Sequence, residues 1–156
     1  MMACFETYKS HLQFPDEVLY ALFYHDYIYS SSRKDNELKS AEYAVKILPE
    51  TTIVHKQIIF DMILATKEHI CNGVEDEKWL IDFDLKVLAK EPEAYTIYAQ
   101  QIRKEFSIYP DFLYHPGRKK ALTHFLEKEF IYQTDSFRTL FESKARANIQ
   151  EEISNL

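Results

Sequence analysis

Asp16-Glu17-Val18-Leu19-Tyr20-Ala21-Leu22-Phe23-Tyr24-His25-Asp26-Tyr27 is the stretch on which the fold class turns. Val18, Leu19, Leu22 and Phe23 recur at helical spacing and predict one apolar stripe on a helix. Two ionisable residues continue the stripe. Asp26 lies seven after Leu19 and four after Leu22, and His25 lies seven after Val18 and three after Leu22. Both are therefore predicted to project from the inward face. An unpartnered carboxylate there would cost several kcal/mol, so the same stretch that predicts a helix also demands a partner for Asp26.

The flanking sequence is helical throughout. Asp35-Asn36 can cap a second helix running to about Leu48, with Leu38, Ala41, Ala44, Val45 and Leu48 inward and Pro49 ending it. A third helix is predicted from about Thr52 to Glu68 or His69, with Val54, Ile58, Met62 and Ala65 as its stripe and Gly73 in the loop beyond. After a short segment around Trp79 to Leu88, Glu91-Pro92 opens a helix carrying Tyr95, Tyr98, Ala99, Ile102 and Phe106. Pro110 and Pro116-Gly117 mark an irregular connection, followed by a helix from Arg118 to Phe130 with Leu122, Phe125 and Leu126 inward. The last helix is predicted to start near Thr134-Asp135-Ser136 and to bury Phe137, Leu140, Phe141, Ala145, Ile149 and Ile153. Met2, Phe5, Tyr8 and Leu12 already form a stripe, so the chain opens inside an amphipathic helix. No stretch alternates with period two, and no repeat or linker interrupts the pattern. The expectation is an all-α, compact single-domain helical bundle over residues 1–156.

Composition narrows the function classes. Only two glycines, Gly73 and Gly117, occur in 156 residues, too few for a hairpin-rich sheet, a glycine-rich phosphate loop or a dinucleotide fingerprint. The net charge of −6 is spread as mixed signs without a basic block, which argues against a nucleic-acid polymer as partner. A small phosphorylated molecule held by a local cation remains compatible. Cys4 and Cys71 form neither a CxxC pair nor a disulfide framework. No apolar run approaches the ~20 residues of a membrane span and no signal peptide is evident, so a cytoplasmic protein without membrane attachment is expected.

Two further segments repeat the pattern seen at His25 and Asp26. His69 follows Met62 by seven and Ala65 by four, and Asp82 and Asp84 interrupt the apolar run Leu80-Ile81-Asp82-Phe83-Asp84-Leu85. Each has an ordinary structural alternative: a hydrogen-bonded core or capping histidine for His69, an N-cap for Asp82, a solvated carboxylate for Asp84. Together they suggest one convergent site, because neutral imidazole and carboxylate are normal ligands of Zn, Mn, Fe or Mg-type ions.

The ordered set of motifs resembles the HD superfamily of metal-dependent phosphohydrolases, more narrowly its branch of small predicted hydrolases. The matching elements are Phe23-Tyr24-His25-Asp26-Tyr27-Ile28-Tyr29, Asp35-Asn36-Glu37-Leu38-Lys39-Ser40-Ala41, Thr66-Lys67-Glu68-His69 and Asp82-Phe83-Asp84-Leu85. Tyr95 and Tyr98, Ile102 to Phe106, Gly117-Arg118, Phe125-Leu126 and Ile131-Tyr132 extend the likeness from about residue 17 to the end.

The resemblance implies an HD-type helical domain in which His25, Asp26 and a distal aspartate hold a divalent Mn, Fe, Zn, Mg or Co ion. Asp84 is preferred to Asp82 for the distal position, and the choice stays open. It also implies a further ligand histidine on a helix before the doublet. His11, the only upstream histidine, lacks the expected neighbours. A late start or a lost N-terminal piece is the corresponding expectation, with weaker metal binding and reduced activity. In the implied reaction, water activated by the ion attacks a phosphomonoester or phosphodiester, a nucleotide among the candidate substrates. His69 would contact the substrate phosphate or a second ion. Glu37 would orient the water, or else serve as a favourable first-turn charge. Arg103 and Arg118 would bind substrate phosphate through guanidinium forks, or else form structural ion pairs. Tyr27 and Tyr29 would line the pocket or pack. The alternative is a degenerate, non-catalytic HD-like module that binds a ligand or protein partner; either form leaves room for a homo-oligomer.

Overall fold

A computed structural model describes residues 1–49 and 55–156, and every regular element among them is helical. The all-α expectation therefore holds for the described residues. The predicted helix start at Thr52 and the stripe position Val54 lie outside them. The contacts divide the chain into two units, Met1–Asp84 and Leu85–Leu156.

The first unit contains α1 (Met2–Tyr8) with a 3-10 turn at Lys9–His11, α2 (Pro15–Tyr24), α3 (Asn36–Ile47), α4 (Lys56–Glu68) and nearly all of α5 (Asp76–Leu85). Pro15 at the first position of α2 has no N–H to leave orphaned, and Asp16 and Glu17 suit the positive helix end. Both α2 and α3 pack on α4. Ala41 and Ala44 on α3, with Ile59, Met62 and Ile63 on α4, are fully buried. Truncating Ile59 or Met62 to alanine should cost about 2–5 kcal/mol. Near the N-terminus, Tyr8 sits 5.1 Å from Trp79, ring centre to ring centre, and tethers α1 to α5.

The inward faces differ in phase from the predicted ones. On α2 the buried set is Glu17, Val18, Ala21 and Leu22, while Phe23 is exposed. On α3 it is Asn36, Ser40, Ala41 and Ala44, while Leu38 is exposed. On α3 small or polar side chains occupy the buried positions, on α2 Val18 and Ala21 are the tightest, and in each case a larger apolar neighbour is turned outward. Asn36 earns its buried place by closing the loop before α3: its side chain donates to the Ser30 carbonyl at 2.9 Å and accepts from the Ser30 N–H at 3.1 Å.

The second unit contains a 3-10 turn (Lys86–Ala89), α6 (Pro92–Glu105), α7 (Asp111–Glu127) and α8 (Asp135–Asn155). The turn, α6 and α7 all pack on α8. Thr134 caps α8 by accepting from the Phe137 N–H, as the Thr-Asp-Ser sequence predicts. Phe137, Ala145 and Ile149 are fully buried on α8, whereas Leu140 is exposed, against expectation. The buried amide of Asn148 donates to the carbonyls of Leu88 and Lys90 at 2.8 and 2.9 Å and so secures the end of the 3-10 turn.

The predicted break at Pro116-Gly117 is absent. α7 runs unbroken from Asp111 through Pro116 to Glu127. A proline inside a helix forfeits a hydrogen bond and crowds the preceding turn, at about 3 kcal/mol. Burial of Tyr114 before it and Leu122 after it anchors both halves and offsets that cost. No described helix is long and apolar enough to cross a membrane.

Candidate metal centre

The end of α2 decides where His25 and Asp26 point. The helix stops at Tyr24, and His25 is its C-cap, so the helical wheel no longer governs Asp26. His25 continues the real inward face, Val18, Ala21 and Leu22, and its ring is buried. The Nδ1 of that ring lies 3.0 Å from the Leu22 carbonyl. A neutral ring that donates there turns a lone pair on Nε2 towards the interior. Asp26, predicted to be inward, instead has a 59% exposed side chain, yet its Oδ2 stays 3.4 Å from His25 Nε2.

Two other elements supply the remaining groups. Asp84, one residue before the end of α5, places Oδ1 3.6 Å from His25 Nε2 and Oδ2 3.5 Å from His69 Nε2. Each oxygen of one carboxylate thus faces a different imidazole. His69 does not extend the α4 stripe. It caps α4 in the left-handed conformation, φ 53° and ψ 48°, the one non-glycine residue with positive φ among those described. The αL turn brings its ring back to Asp84. Asp82 is fully buried two residues earlier on α5. Asp84 is the carboxylate that lies within 3.6 Å of both imidazoles.

The electrostatics follow from this packing. Burial pushes the Asp84 carboxyl upward, but hydrogen bonding and attraction from His25 and His69 outweigh it and hold the carboxyl well below the usual carboxylate range. Burial alone would lower His25; the hydrogen bond and charge of Asp84, with the charge of Asp26 and the Leu22 carbonyl, raise it.

The donor chemistry, two imidazoles and two carboxylates, suits Zn, Mn, Fe or Co. Donors sharing one tetrahedral ion at bond lengths of roughly 2.0–2.2 Å stand about 3.3–3.6 Å apart in all six pairs; the contacts here, 3.4, 3.5 and 3.6 Å, join three of the six. The other carboxylate–histidine pair of this unit, Glu17–His55, closes to 2.7 Å, an ordinary charge-assisted contact. The contacts run as an open chain, Asp26–His25–Asp84–His69. Among the described residues, no group of three or more His, Cys, Asp or Glu side chains is gathered as a ready-made metal site.

The other candidates sit elsewhere in their own units. Glu37 is half-buried in the first turn of α3, where its charge suits the helix end. Tyr27 stacks on Tyr43 at 4.6 Å with an 11° tilt, and Tyr29 is exposed. In the second unit Arg103 donates to Asp111 at 2.7 and 3.0 Å and to the carbonyls of Phe106 and Tyr109. Arg118 forms a fork on Glu152 at 2.7 and 3.1 Å, and the Tyr95 hydroxyl adds a third donor to the same carboxylate. Both guanidinium groups are engaged in structural pairs.

Three buried carboxylates went unnoticed in the sequence. Glu17 accepts from the His55 N–H at 3.0 Å and lies 2.7 Å from its Nδ1. Asp76 accepts the N–H groups of Gln13 and Phe14. Glu77 accepts those of Asn72 and Gly73. Only for Glu17 is there a local signal, its i, i+1, i+4, i+5 relation to Val18, Ala21 and Leu22. No family model matches the chain, and no curated protein or solved structure matches it.

Proposed function

We propose that this protein is a metal-dependent phosphohydrolase of the HD type, acting in the cytoplasm on a small phosphorylated molecule. The observation that carries this reading is Asp84, whose two oxygens face His25 and His69 at 3.6 and 3.5 Å with Asp26 beside His25. His25, Asp26 and Asp84 would hold the divalent ion. A bound ion would supply Lewis acidity and a water ionised towards neutral pH. The chain's own contribution is to fix His25 through the Leu22 carbonyl, to shelter the imidazoles, and to keep Asp84 ionised so that it stays a ligand.

The test is turnover. Purified protein supplied with Mn, Co, Zn, Fe or Mg should release phosphate from members of a panel of phosphomonoesters and cyclic or linear phosphodiesters, and Asp84→Asn should abolish the release. Metal-independent turnover, or turnover unchanged in Asp84→Asn, would overturn the assignment.

A non-catalytic HD-like module is the second reading. It is favoured by the engagement of Arg103 and Arg118 with Asp111 and Glu152, which leaves neither guanidinium available to a phosphate without breaking a pair. Stoichiometric metal binding without turnover on any member of the panel would support it.

A further inference from the structure

We propose that a tyrosine-lined groove along α2 binds a small quaternary ammonium compound. The inference does not rest on the metal reading, and it gives Tyr27 a role beyond packing.

Asp16, Tyr20 and Tyr24 follow one another at four-residue spacing and so share one face of α2. Phe23 and Tyr27 join them in lining a groove of about 740 Å³ that is open to solvent. Tyr20 stacks on Tyr24, and Tyr27 on Tyr43, each at 4.6 Å between ring centres. Tyr24 stands 5.5 Å from Tyr27, so the rings form one continuous aromatic wall. Phe23 and Tyr27 remain 60% and 58% exposed on it.

Charge complementarity selects the ligand. The face of an aromatic ring is electronegative and attracts a cation. Among the described lining residues Asp16 is the one charged group, and no Lys, Arg or His stands beside it. Asp16 is exposed and forms no ion pair with a described residue. The wall therefore carries negative potential with no described cation to balance it.

The same wall offers few acceptors to an N–H donor. The Tyr20 hydroxyl donates to the Ala44 carbonyl at 3.2 Å, and a hydrogen bond with Tyr27 raises the Tyr43 phenol above its ordinary value. A primary ammonium carries three N–H groups and would exchange water for too few partners here. A quaternary ammonium has no N–H and spreads its charge over methyl groups that pack on rings. It is the cation this surface suits.

The experiment is titration of the full chain with choline, read by NMR of the tyrosine ring protons. The comparator is dimethylbutanol, the uncharged isostere with carbon in place of nitrogen. Choline should bind in the millimolar range or tighter, and about 3-fold or more above the isostere. Tyr27→Ala should weaken choline about 3-fold or more, while Tyr27→Phe, which keeps the ring, should stay within about 2-fold of the parent. Asp16→Asn should weaken choline and remove most of the salt dependence of binding. Both side chains are exposed, so the variants should fold, and melting checks that they do. Equal binding of choline and the isostere, or unchanged affinity in Tyr27→Ala, would overturn the proposal. So would equal binding of butylammonium, which would favour a lysine side chain of a protein partner. A dimer that Tyr27→Ala disperses would assign the face to a second copy instead. Ring signals that do not respond to millimolar choline would refute the site outright.

Discussion

His25 Nε2 and Asp84 Oδ1 face each other at 3.6 Å, joining the end of α2 to the end of α5. Each side chain changes the ionisation of the other: Asp84 raises His25, and His25 helps to hold Asp84 low.

That coupling fixes a pH window for the metal-free protein. Asp84 has a folded pKa below its unfolded value of about 3.9, so its contribution is present above that pH and fades as pH falls through the folded value. His25 has a folded pKa above its unfolded value of about 6.5, so its contribution is full below that pH and is lost as pH rises through the folded value. The cluster should therefore stabilise the protein most between about pH 4 and 6.5. Melting in EDTA from pH 3.5 to 8.5 checks this. Asp84→Asn should flatten both flanks relative to the parent; parallel curves would contradict the coupling.

Metal affinity should move the opposite way on the alkaline side. A protonated His25 must release its proton before it can bind an ion, so Zn affinity should climb as pH rises through the raised His25 value and protons should be released on binding. Calorimetry in buffers of different ionisation enthalpy reads that proton directly. Binding without proton release below pH 7 would place the ion elsewhere.

Asp26 should separate stability from binding. Its carboxylate is 59% exposed, so Asp26→Ala should change the stability of the metal-free protein by no more than about 0.5 kcal/mol while weakening Zn binding. Urea denaturation with EDTA and a Zn titration test the two halves separately. Unchanged Zn affinity would remove Asp26 from the ligand set.

In the second unit, Arg118 and Glu152 form a largely buried fork that Tyr95 completes. Arg118→Ala should cost about 3–5 kcal/mol, because it leaves a buried carboxylate without its counter-charge. Urea denaturation measures the loss. A cost under about 1 kcal/mol would mean that the pair is dispensable, and would return Arg118 to the candidates for phosphate binding.

Gly73 tests a tighter relationship. A Cβ added there would collide with the Glu77 carboxylate, which accepts the N–H groups of Asn72 and Gly73 at 2.9 Å each. Gly73→Ala should therefore destabilise by about 1–3 kcal/mol through displacement of that carboxylate. No positive φ is involved, so Gly73→Asn should bring no backbone relief. Thermal melting of the two variants is sufficient.

The sequence by itself determined the helical class and placed most of the described helices, because apolar spacing and the punctuation at Pro92 and Thr134 are local properties of the chain. It also picked out His25, Asp26, His69 and the pair Asp82 and Asp84, without choosing between the last two, since ionisable groups in apolar runs are conspicuous without coordinates. Tertiary structure decided what spacing cannot carry. Where α2 ends put Asp26 outside and His25 inside; an αL turn, not a stripe, delivered His69; burial of Tyr114 and Leu122 kept α7 continuous through Pro116. Glu17, Asp76 and Glu77 look like surface acids in the sequence, and only packing reveals the backbone N–H groups that make their burial favourable. The physical reason is common to all of these: periodicity is set by neighbours along the chain, whereas the partner that makes a buried charge stable comes from a distant segment or from a bend.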